Sequence, residues 1–105
     1  MWIPDAGVLI EQKALGIDLD KEEVRQGKPK TPLNQALDYV DELPRLEQPR
    51  FVITCNFSIF RVYDRDAYGR SQLPNNVFEF SLDELANHPE YLAFINDPTN
   101  SRLEN

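Results

Sequence analysis

The sequence predicts an α/β domain, a mixed sheet with flanking helices, and four stretches carry that prediction. "VLIEQK" (8–13) and "RFVITC" (50–55) are short, apolar runs of strand composition. Between them, "TPLNQALDYVDELP" has an amphipathic pattern with its own start and stop signals. "IFRVYD" (59–64) alternates after a connection of only "NFS". Strand, helix, strand in that order implies a parallel crossover, whereas so short a return implies antiparallel pairing, so the sheet must be mixed.

Each element follows from local chemistry. In "VLIEQK" the pleat sends Glu11 and Lys13 to one side and Ile10 and Gln12 to the other, so the two charges are neighbours. "IDLDKEEVRQGKP" (17–29) is charged, contains Gly and Pro and has no repeated apolar face. It reads as a surface loop, with a helical turn at 20–26 the one element it could hold. Thr31 followed by Pro32 is an N-cap with Pro at the first helical position, Leu33, Ala36, Leu37, Val40 and Leu43 form one stripe, and Pro44 stops the helix. "RFVITC" has the nearly unbroken apolar composition of a central strand covered on both faces. A Gly/Pro/Asn-rich loop at 65–76 leads to a strand at "VFEF" (77–80). Ser81 and Glu84 form a capping box for a helix through "LDELAN", and Pro89 opens a last helical segment.

Composition bounds the function. A chain of 105 residues, 41% hydrophobic, holds one domain with a single small core. Eleven basic against 18 acidic residues give a net charge of -7, opposite to the balance of a compact DNA-binding module. The lone Cys55 sits among apolar neighbours and reads as an inert buried thiol. The longest apolar runs fall far short of the ~18 residues a membrane span needs, and no signal-peptide pattern precedes them, so a cytoplasmic protein without a membrane partner is expected. The apolar opening Met1-Trp2-Ile3 and the polar close "DPTNSRLEN" suggest a fragment of a larger protein.

The chemistry begins with Glu11-Gln12-Lys13. Burying either charge alone costs several kcal/mol, so an apolar strand that ends in both implies a partner or a metal. Metal-dependent phosphodiester hydrolysis needs carboxylates to hold a hydrated Mg²⁺ and a cation to answer the charge developing on phosphate; Glu-x-Lys supplies both within one pleat. Gln35 and Tyr39, four residues apart on the helix, lie together beside its apolar stripe, where side chains border a cleft.

The order E-x-K strand, Q-x-x-x-Y helix, apolar strand resembles the PD-(D/E)xK nuclease superfamily. The blocks "GVLIEQKALGIDLDK", "TPLNQALDYVDELP", "PRFVITCNFSIFRVYD" and "FEFSLDEL" are similar to the amino-terminal nuclease region of MmeI-like restriction-modification enzymes. That resemblance implies a restriction-endonuclease-like fold. It also implies a Mg²⁺-dependent endonuclease (Mn²⁺ also serving) acting on duplex DNA. One polypeptide would carry it with an adenine-specific methyltransferase, which uses S-adenosylmethionine, and a target-recognition region. Carried over, Glu11 is the metal-binding glutamate, Lys13 the catalytic lysine, and Gln35 and Tyr39 the helix pair near metal and phosphate. The pattern also wants an Asp on the preceding strand, at or just before Met1. Asp5 is the one acid upstream of Glu11 and so the remaining metal candidate, although "PDAG" reads as a turn. Without that acid the isolated chain is expected to be inactive.

Other groups are weaker candidates. Lys28 and Lys30 in "GKPKT" could reach a DNA phosphate. Asp18, Asp20, Glu22 and Glu23 lack the pattern of a calcium loop and read as a solvated cluster. His88, the single histidine, is expected on the surface, and Phe57, Phe60, Tyr63, Phe78 and Phe80 are expected to pack in the core. Two alternatives stand beside the fused nuclease: a non-catalytic or degenerate nuclease-fold interaction module, and the nuclease block of a type I-like restriction subunit.

Overall fold

The structure, a computed structural model, describes residues 2–3, 7–25 and 27–96. Its main sheet has five strands: β1 (Trp2–Ile3), β2 (Val8–Gln12), β5 (Phe51–Cys55), β6 (Ile59–Asp64) and β7 (Phe78–Ser81), in the order β1-β2-β5-β6-β7. The numbers left out belong to a two-stranded hairpin of β3 (Glu23–Arg25) and β4 (Lys28–Lys30). As expected, β2 and β5 are parallel, in register from Val8 on Phe51 to Gln12 on Cys55, and the other pairs are antiparallel. The Lys13 N–H donates to Cys55 O at 2.7 Å, which extends the β2 ladder by one bond.

Helix α1 (Pro32–Glu42) starts and stops where its signals place it. Thr31 caps it by accepting the Asn34 N–H at 3.2 Å, and Leu43 closes it with an N–H to Val40 O. Its stripe Leu33, Ala36, Leu37 and Val40 is buried against Leu9, Val52, Tyr63 and Leu73 on one face of the sheet. Full burial of a Val or Leu side chain contributes about 1.5–3 kcal/mol, so this layer fixes α1 firmly over β2 and β5. Val8, Ile53, Val62 and Phe80 make the core of the opposite face, with Ile10, Phe60, Leu85 and Tyr91 packed around them. There the cover is α2 (Leu82–Asn87), opened by the Ser81–Glu84 capping box, and a 3₁₀ segment, Pro89–Asn96. Among the described residues, no helix is long and apolar enough to cross a membrane.

Residues 17–29 depart from the sequence expectation. Where a loop with a helical turn at 20–26 was expected, β3 and β4 pair antiparallel, Glu23 on Lys30 and Arg25 on Lys28, with Gly27 in the connection at φ 80. Three-residue strands are too short to display a period, and Val24 is exposed, so the hairpin carries no hydrophobic signal. Pro29 is tolerated because this small sheet has only edges.

The β5–β6 connection shows how that segment is held. Buried Asn56 accepts the Ser58 and Ile59 N–H groups on Oδ1 at 3.0 and 2.9 Å and donates from Nδ2 to Ile17 O at 2.7 Å. The tight turn puts Phe57 at φ 70, an uncommon conformation for a non-glycine residue, and leaves its ring exposed rather than in the core. Phe78 is also exposed, at the sheet edge, while its ring meets Phe80 and Tyr91. Cys55 is buried and His88 exposed, as expected.

Candidate active site

Glu11 and Lys13 do share a face, and it is the face that α1 covers. Lys13 Nζ lies 3.3 Å from Glu11 Oε1, with the lysine side chain only 5% exposed. Leu33 and Leu37 pack on the Leu9 side of β2, which brings Gln35, in the first turn of α1, over the lysine. Gln35 Oε1 accepts from Lys13 Nζ at 2.7 Å, while its Nε2 donates to Lys30 O on β4 at 3.3 Å. The second bond fixes which end of the amide faces the ammonium.

The third partner of Lys13 is Glu23, whose Oε2 lies 3.4 Å from Nζ. Glu23 was expected in a solvated acidic cluster; the β3–β4 hairpin instead folds it onto the site. A buried ammonium is tolerated only when its donors are satisfied and its charge is answered, and here three oxygen atoms do both. Asp20, from the same expected cluster, is also engaged. Its carboxylate receives two hydrogen bonds from Arg61, at 2.6 and 3.1 Å, and they hold its carboxyl below the usual carboxylate range. Arg61 Nε donates in turn to Glu79 Oε1 at 2.7 Å. Together Asp20 and Arg61 border a cleft of about 260 Å³ that also touches Asn34 and Tyr63.

Across the sheet the register aligns Glu11, Thr54, Arg61 and Glu79 in one row. Thr54 is fully buried in the middle of that row, next to the Tyr63 phenol.

The remaining sequence candidates are placed differently. Tyr39, one turn beyond Gln35, is 44% exposed and is not among the partners of Lys13 in the described residues. Asp5 lies outside the described residues. Lys28 is exposed on the hairpin, whereas Lys30 is paired with Asp38, whose carboxyl is held low by hydrogen bonds from Lys30 and Arg70. Glu23, Asp20 and Thr54 were not legible as site residues, because each reaches its place through long-range folding.

The atoms that accept from Lys13 or face it are all oxygen, the ligand type that suits a hard cation such as Mg²⁺. Among the described residues, no group of three His, Cys, Asp or Glu side chains is gathered to hold a metal; a hydrated ion needs only one or two carboxylates. No curated protein and no solved structure matches the chain. A family model described as "MmeI, N-terminal domain" matches residues 1–105, and the chain belongs to that family.

Proposed function

We propose that this domain is the nuclease part of a restriction-modification enzyme, a Mg²⁺-dependent endonuclease hydrolysing phosphodiester bonds of duplex DNA. In this reading it shares a polypeptide with an adenine-specific methyltransferase and a target-recognition region. Family membership supports the restriction-modification context. The observation that carries the catalytic part is the shielded ammonium of Lys13 beside the more open carboxylate of Glu11, 27% exposed.

Each residue then has a role. Glu11 anchors the ion, which when bound polarises the phosphate and activates a water molecule. Lys13 faces the charge that grows on the phosphate oxygens, and it is worth most where water is excluded, as its burial provides. Gln35 keeps the ammonium aimed, so no reorganisation is needed at the moment of reaction. Lys28, exposed on the hairpin, contacts a flanking phosphate. A domain of net charge -7 contributes little to DNA affinity, which falls to the other parts of the polypeptide.

The test is cleavage of duplex DNA with Mg²⁺ by the complete polypeptide. Lys13→Ala is expected to lower the cutting rate by about 10²-fold or more with DNA binding nearly unchanged. Undiminished cutting would remove Lys13 from the active site. A non-catalytic interaction module predicts instead that Lys13→Ala changes stability alone.

A further inference from the structure

Two local rules are broken at one residue of the β5–β6 turn. Phe57 holds φ 70, a region that bulky side chains rarely enter, and it is 52% exposed although its ring is apolar. A glycine at this position would meet neither cost. Backbone outliers of this kind persist where the side chain serves a function.

The turn is not loose. Asn56 Oδ1 accepts from the Ser58 and Ile59 N–H groups, the Asn56 N–H donates to Ile59 O at 3.2 Å, and the Leu82 N–H donates to Ser58 O at 2.8 Å. The ring is therefore presented on a held backbone, and only its side-chain torsions remain to be fixed when something packs on it.

Its place in the fold says what it meets. β2 and β5 are parallel, so their carboxyl ends share one end of the sheet, and the Lys13 N–H donates to Cys55 O there at 2.7 Å. Phe57 follows Cys55 by two residues, about 7 Å of extended chain, which is about two nucleotides of rise along a DNA strand. On the nuclease reading, a strand whose scissile phosphate faces Lys13 passes this turn. A neutral ring also suits a domain of net charge -7, because packing on a base step needs no positive charge.

We infer that Phe57 is a DNA-contacting residue, whose ring packs as an apolar wedge on a base step about two nucleotides from the scissile phosphate and so fixes how the strand lies against Lys13. The place of that base step rests on the nuclease reading; contact of the ring with duplex DNA does not.

The test separates ring from backbone in the complete polypeptide. Phe57→Ala and Phe57→Gly both remove the ring, and only glycine relieves the positive φ. Both are expected to cut duplex DNA about tenfold or more slowly at low DNA concentration, although Phe57→Gly melts higher than Phe57→Ala. Phe57→Tyr, which keeps a ring, restores most of the cutting. With 2-aminopurine placed beside the cut and divalent ions withheld, binding of wild type changes the probe's emission, and both ring deletions abolish that change. Wild-type cutting by Phe57→Gly, or cutting that rises from the alanine to the glycine variant along with stability, overturns the inference. So does an emission change that is absent with wild type bound. Lost cutting with the emission change intact also overturns it, since the ring then meets another part of the polypeptide. An emission change that needs the Phe57 ring while Lys13→Ala still cuts keeps the DNA contact and removes the nuclease reading. Loss of cutting in Lys13→Ala with Phe57→Gly at full rate does the reverse.

Discussion

Two ionic clusters stand on the α1 face of the sheet, and they have the same parts list. Lys13 holds Glu11 from its own strand and Glu23 from the 17–25 segment; Arg61 holds Glu79 from the adjacent strand and Asp20 from that same segment. Each is one cation with two more exposed acids, but the Arg61 cluster is much the wetter of the two. Around Arg61 the planar fork is answered by Asp20 with two bonds, and Asp20 is itself 74% exposed, so solvent screens the pair. Around Lys13 the point charge is sealed inside while its acids keep an open side. The Arg61 arrangement ties a loop to a sheet. The Lys13 arrangement holds a charge in a place where it costs much to keep one.

The comparison breaks most directly on activity. In the complete polypeptide, Lys13→Ala should abolish most cutting, whereas Arg61→Ala should leave the turnover of the folded enzyme unchanged; a cleavage assay normalised to folded protein separates them. A large drop for Arg61→Ala would mean that both clusters belong to one site. Stability sharpens the contrast at smaller scale. Glu23→Ala removes an acceptor from a buried charge and should cost about 1–3 kcal/mol in urea unfolding, against ~0–1 kcal/mol for Asp20→Ala. In about 1 M NaCl, where the screening length is ~3 Å, the Asp20 difference should vanish and most of the Glu23 difference persist. Equal costs, or equal salt sensitivity, would erase the distinction.

The smallest effect is in pH. The folded-state pKa of Asp20 lies below its ordinary value of 3.8, chiefly through the Arg61 hydrogen bonds. Its contribution is therefore present above 3.8 and lost as pH falls through the lower folded value. The gap in melting temperature between wild type and Asp20→Asn should be constant near neutrality and close on acidification below that point. A gap that widens there has the wrong sign for this pair.

How legible the site was depends on the range of each contact. Glu11 beside Lys13 follows from the two-residue pleat, and α1 from its cap, its stripe and its proline stop, so these could be read directly. Gln35 on Lys13 was half legible: helix periodicity gave its side of α1, but its bond needed α1 to dock on β2. Glu23 and Asp20 were not legible, because a three-residue strand has no period and a contact like Asp20 to Arg61 spans 41 positions of chain. The core was easier than the site because apolar patterns are local and redundant, while a charge pair is a single event.

Asn56 links two parts of the fold. One side chain joins the β5–β6 turn to the carbonyl of Ile17 and so gives the segment that carries Asp20 and Glu23 an anchor besides its own ion pairs. Both acids should therefore be among the first groups released when that scaffold loosens. Hydrogen exchange should show β3–β4 amides opening well below the global unfolding free energy, with Asn56→Ala hastening them and β5 amides staying slow. Exchange of hairpin and β5 at one common rate would mean that sheet and hairpin form as a single unit.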